Sequence, residues 1–89
     1  MFERYKLEKR LKALIAKAGT FGLPQKDQDF ANEFVEYNEP ALALDQVAVQ
    51  LYEFDIKIDQ ACYDEIMQIA TLLATPEGDY TYLNDLIAL

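Results

Sequence analysis

The chain of 89 residues holds no histidine, no serine and no tryptophan, and a single cysteine, Cys62. These gaps remove whole classes of chemistry. One thiol without an imidazole cannot build a tetrahedral zinc site, and neither a Ser–His nor a Cys–His couple exists for nucleophilic catalysis. Without serine, a carrier domain of the acyl-carrier kind has nowhere to attach its prosthetic group. No D-x-D-x-D-G calcium loop is present, which excludes an EF-hand. A lone cysteine closes no internal disulfide, so the expected compartment is a reducing cytoplasm. Three glycines and three prolines are too few for a turn-rich β-fold. No apolar run approaches the roughly 20 residues that span a bilayer, and the charged start Met1-Phe2-Glu3-Arg4-Tyr5-Lys6 argues against a signal peptide.

Against these absences stand 52% hydrophobic residues, five phenylalanines and six tyrosines, ample for one packed core. Residues 1–89 therefore form one domain, with no internal repeat or low-complexity segment. Net charge is −8 and unevenly spread. Residues 1–17 carry six basic and two acidic side chains, a balance of +4, whereas the rest sets Lys26 and Lys57 against fourteen acids, a balance of −12. That sign repels phosphate, so no direct nucleic-acid binding is expected. It either serves solubility or speeds encounter with a basic protein surface.

Hydrophobic periodicity predicts an all-α fold, a bundle of four helices plus a short C-terminal fifth. The first runs from about Glu3 to Ala18 with Leu7, Leu11, Leu14, Ile15 and Ala18 inward and Gly19 as its stop. The second, about Lys26 to Tyr37, buries Phe30, Ala31, Phe34 and Val35 and turns Asp29, Asn32, Glu33 and Glu36 outward. Asn38-Glu39-Pro40 breaks it and opens a third helix to Glu53, with Leu44, Val47, Ala48 and Leu51 inward. Leu42 and Val49 fall on another stripe; packing against a neighbour is favoured over an exposed apolar strip. Phe54–Ile58 alternates like a strand but has no partner nearby and reads as a connection. Asp59 is the N-cap of a fourth helix to about Ala74, with Cys62, Ile66, Ile69, Ala70 and Leu73 inward. Thr75-Pro76-Glu77-Gly78-Asp79 is a turn, and residues 80–88 form the last helix with Tyr82, Leu83, Leu86 and Ile87 inward.

Paired carboxylates, Glu33 with Glu36 and Asp64 with Glu65, are the only catalytic ingredient, and they sit on polar helix faces with nothing apolar beside them to raise a pKa. No catalytic residue, cofactor or metal is therefore expected. Cys62 lies on an apolar face, where a thiol behaves as a small hydrophobe. More informative is the mixture of acids and tyrosines around two helix connections: Glu33, Glu36, Tyr37, Glu39, Tyr52, Glu53, Asp55, Asp59, Tyr63, Asp64 and Glu65. Tyrosine offers rigid contact area, and carboxylates pair with Lys and Arg. The same rings can equally pack at the core edge with their hydroxyls in water.

Asn38-Glu39-Pro40-Ala41-Leu42-Ala43-Leu44, then Gln50-Leu51-Tyr52-Glu53-Phe54-Asp55-Ile56, Asp59 and Tyr63-Asp64-Glu65-Ile66 together resemble the MafI-type immunity proteins. The likeness covers about residues 23–74 and departs from the common pattern at Gln46, Gln50 and the Tyr80-Thr81-Tyr82 end. It implies a cytoplasmic antidote to a secreted toxin of competing bacteria, as in contact-dependent growth inhibition. Several such toxins are ribonucleases, including the EndoU type. The expected partner is a basic toxin C-terminal domain, bound stoichiometrically without membrane or nucleic acid, through Glu33, Glu36, Tyr37, Glu39, Tyr52, Glu53, Asp55, Asp64 and Glu65. The two helix ends are expected to bring Glu36, Glu39, Tyr52, Glu53 and Asp55, the leading candidates, together. The alternative is an acidic adaptor or regulatory subunit of a larger assembly, which needs an exposed apolar patch such as Leu42 with Val49.

Overall fold

Where helices stop decides how this chain folds back on itself. A computed structural model describes residues 2–75 and 77–88. It contains α1 (Phe2–Phe21), α2 (Gln25–Glu36), α3 (Pro40–Glu53) and α4 (Gln60–Leu72), then 3₁₀ segments at Glu77–Asp79 and Thr81–Leu86. The fold is all-α, as the periodicity predicts. The segment after α4 is 3₁₀ rather than α because it is short and rich in Thr, Tyr, Asn and Asp, which give little helix propensity. Of the expected turn at 75–79, Pro76 lies outside the described residues.

All four α-helices close by the same device. Gly22, Asn38, Asp55 and Ala74 take positive φ (122°, 60°, 51° and 58°). Around each, two backbone N–H groups reach back to otherwise orphaned carbonyls: Gly22 and Leu23 to Gly19 and Ala18, Asn38 and Glu39 to Val35 and Phe34, Asp55 and Ile56 to Tyr52 and Leu51, Ala74 and Thr75 to Thr71 and Ala70. This is the Schellman closure, which satisfies the last-turn acceptors and reverses the chain. Gly19 is thus not the stop of the first helix, as expected from sequence, but a residue inside it; Gly22 supplies the left-handed turn. Gln28 packs so close to Gly19 that an added Cβ would lie 2.6 Å from its amide nitrogen. At α4 the left-handed residue is alanine, whose Cβ disfavours that region. Ala74→Gly is therefore expected to stabilise the domain by about 1 kcal/mol, raising Tm by roughly 4–8 °C. Scanning calorimetry showing no rise, or a fall, would remove this account of the α4 end.

At the other end of α4, Asp59 performs the expected capping, its carboxylate accepting from the Cys62 backbone N–H at 2.8 Å. Helices α2 and α3 form an antiparallel hairpin, so Asp27 in the first turn of α2 meets Gln46 and Gln50 well along α3. α1 and α4 pack on the inner side of this pair. Leu11, Ile15, Ala31, Val35, Leu44, Val47, Leu51, Ile66 and Ile69 are all but fully buried between the helices, and Leu83 and Leu86 cover the end of the core. The connection after α3 carries one isolated parallel bridge, Ile58 with Ile87, and no strand. Ile58 donates to the Leu86 carbonyl and accepts from the Ala88 N–H, which anchors the C-terminal segment. Arg10 on α1 and Glu65 on α4 join at 2.6 and 2.9 Å, with the same guanidinium also reaching Gln68.

Three apolar side chains depart from the expected pattern. Phe30, expected in the core, is 45% exposed; Leu42 and Val49, expected to pack, are 45% and 44% exposed. Asp27 replaces Phe30 on the buried side of α2, and Leu42 and Val49 stay partly in solvent on α3.

Candidate functional site

The hairpin geometry sorts the acidic and aromatic residues into separate groups. Glu33, Glu36, Tyr37 and Glu39 gather at the α2–α3 turn, all exposed. Tyr52, Glu53 and Asp55 gather at the far end of α3, also exposed. Because the helices run antiparallel, these groups stand apart by the length of α3, about 21 Å at 1.5 Å per residue. The expected merging of the two ends into one patch is therefore corrected. Asp64 and Glu65 lie on α4; Gln60 donates to Asp64, and Glu65 is engaged by Arg10, whose own proton is held more tightly by that hydrogen bond. Glu65 thus serves the α1–α4 contact.

The tyrosines divide between the two roles weighed for them. Tyr37 is 74% exposed. Tyr52 is half exposed and meets Tyr82 edge to face, ring centroids 4.9 Å apart. Tyr80 is buried, its hydroxyl making a long 3.5 Å contact to Asp45. Burial, then the Asp45 charge, pushes the Tyr80 phenol up to about 12 and moves Tyr82 in the same direction. Cys62 is likewise buried, and desolvation with the nearby Asp59 carboxylate pushes its thiol up to about 11. A thiol so seldom ionised near neutrality is a poor nucleophile.

A third feature went unread in the sequence. Between α2 and α3 runs a groove of about 450 Å³, lined by Pro24, Lys26, Asp27, Phe30, Phe34, Gln46, Gln50 and Phe54. At its floor Asp27, only 5% exposed, accepts from Gln46 Nε2 at 3.0 Å and Gln50 Nε2 at 2.9 Å, both on the same oxygen. Two amides one helical turn apart on α3 therefore clamp one carboxylate on α2. Placement in the first turn of α2 also sets its charge against the positive end of the helix dipole. The rim is aromatic: Phe54 is 52% exposed, and Phe30 and Phe34 line the α2 side. The signal available was the pair Gln46 and Gln50, two amides four residues apart on one helix.

Among the described residues no three His, Cys, Asp or Glu side chains stand together as a metal site, and no helix is long and apolar enough to cross a membrane. What the surface offers is recognition: exposed carboxylates at both ends of α3, an apolar strip along it, and an aromatic groove over a buried charge. Comparison with family models, curated proteins and solved structures yields no match for this chain.

Proposed function

We propose that the chain works by stoichiometric binding, masking a basic protein domain as an immunity protein neutralises a secreted toxin, with a ribonuclease, EndoU-type included, as the first candidate. The observation that carries this reading is charge: the chain beyond residue 17 has a balance of −12, and Glu33, Glu36, Glu39, Glu53 and Asp55 stand in solvent. A nuclease must attract phosphate and so presents a basic cleft, which such a surface can occupy in place of RNA. In this reading the chain itself catalyses nothing and acts in the cytoplasm, where the toxin arrives. The resemblance of residues 23–74 to MafI-type immunity proteins, read from the sequence, points the same way. Exposure of Leu42 and Val49 favours a second reading, an adaptor docking through an apolar strip.

The test is the rate of complex formation with a basic toxin domain, sought in the neighbouring reading frame where this reading places it. Association should be one-to-one, approach about 10⁸ M⁻¹s⁻¹ at low salt, and fall at least about tenfold between roughly 50 and 500 mM. A rate indifferent to salt removes the electrostatic basis of the proposal and leaves the apolar strip as the docking surface.

A further inference from the structure

The α2–α3 groove has the chemistry of a receptor for one particular side chain. Both glutamine amides give their N–H to the same oxygen of Asp27. A carboxylate only accepts, so each amide must turn its nitrogen to Asp27 and its carbonyl oxygen elsewhere. Neither glutamine oxygen accepts a hydrogen bond within the described residues, and both residues line the groove. The second oxygen of Asp27 also takes no donor, yet among the described residues no fully buried side-chain oxygen or nitrogen is left without a partner. That oxygen therefore keeps its contact with solvent, and the groove is the opening beside it. The polar floor thus offers three free acceptor oxygens beside the second N–H of each amide, with one formal negative charge and no cation bonded to it among the described residues. Lys26, next in sequence, lines the same groove at its rim and makes no ion pair with Asp27.

Around this floor stand Phe30, Phe34 and Phe54. Aromatic faces attract cations, and they stack best against a flat one. Guanidinium is planar, carries five N–H donors and no acceptor, and loses less hydration than an ammonium. We infer that the groove receives an arginine side chain of the basic partner, its guanidinium bonded to Asp27 with the Gln46 and Gln50 oxygens and stacked on the phenylalanine rim. This deepens the proposed function, resting on the reading of the chain as a binder of basic proteins, and it makes the groove the anchor of that contact. An ammonium, with three tetrahedral donors and no face to stack, fits the same floor less well.

The experiment titrates the full chain, ¹⁵N-labelled, with acetyl-Gly-Arg-Gly-amide and separately with acetyl-Gly-Lys-Gly-amide, following the side-chain amide signals of Gln46 and Gln50. The arginine peptide should shift both signals saturably and bind more tightly than the lysine peptide. Asp27→Asn keeps the shape and can still offer its oxygen to the two amides, while turning an NH₂ into the groove. It should weaken the arginine peptide at least about tenfold, as loss of one member of a buried charge pair does. Phe54→Ala, at an exposed position outside the core, should weaken it several-fold with the fold intact, and it carries the test if Asp27→Asn perturbs folding. Lys26→Gln, removing the one rim cation, should tighten binding. Equal response to both peptides, or shifts confined to Glu33–Glu39 with Gln46 and Gln50 unmoved, overturns the inference. A salt-dependent complex with the basic domain combined with no arginine-peptide binding overturns the groove and leaves neutralisation standing. Peptide binding without that complex supports the groove while removing neutralisation.

Discussion

Leu51→Ala is expected to cost about 3 kcal/mol of unfolding free energy, whereas Leu42→Ala on the same helix should cost less than about 1 kcal/mol. Leu51 is wholly buried on α3, the helix that touches α1, α2, α4 and the final 3₁₀ segment. It also stands where α3 closes, its carbonyl accepting from the Ile56 N–H. Truncation leaves a cavity that four surrounding elements cannot easily collapse into. For a domain this small the loss is a large share of the total, which by size alone is roughly 4–13 kcal/mol. Leu42, 45% exposed, has no such enclosure. Urea unfolding measures both: the midpoint should fall sharply for Leu51→Ala with an unchanged slope and hardly move for Leu42→Ala. Equal losses would mean that the outer strip of α3 is covered after all, and would withdraw it as a docking surface.

The second large effect concerns which end of the hairpin the partner grips. Glu53→Lys combined with Asp55→Asn should weaken the complex with the basic domain by about thirtyfold or more. Those residues are the sequence neighbours of Phe54, which lines the groove, and a like charge against a basic surface there costs on the order of several kcal/mol. Asparagine is chosen at Asp55 because the residue has φ of 51°, which Asn tolerates well. Its exposed partner Lys57, 3.2 Å away, adds little. Glu36→Lys with Glu39→Lys changes more charge but acts about 21 Å away along α3. Its effect should be confined to a several-fold slower association, with dissociation unaltered. Stopped-flow kinetics separates the two rates. If the Glu36 and Glu39 pair proves the more damaging and speeds dissociation, the contact lies at the α2–α3 turn and not around the groove.

The helices were legible because each carries a strong period. Leu11, Leu14, Ile15 and Ala18 on α1, and Cys62, Ile66, Ile69 and Ala70 on α4, are buried as their spacing predicts. Pro40, Asp59 and the Asn38 break marked element ends through local chemistry that needs no tertiary context. What periodicity could not decide was the choice between neighbours at a stripe edge. Phe30 and Asp27 compete for one side of α2, and hydrophobicity alone favours the phenylalanine. The carboxylate goes in because two amides on α3 await it, a cross-helix bond that no window along the sequence contains. The acidic clusters were legible as composition, but their separation depends on the hairpin being antiparallel.

The uneven charge of the sequence becomes directional in the fold. Six of the eight basic residues sit on α1, whereas fourteen of the sixteen acids lie after it in the chain, in a molecule 37 × 26 × 17 Å across. Such an arrangement is an electric dipole as well as a net negative charge. A positively charged body approaching from any direction exerts a torque, turning the lysine-bearing helix away and the α3 side forward before contact. At physiological ionic strength this acts within the last 8 Å or so of approach, the reach of an unscreened charge. The basic first helix thus need not be touched to contribute: it biases the orientation in which collisions occur.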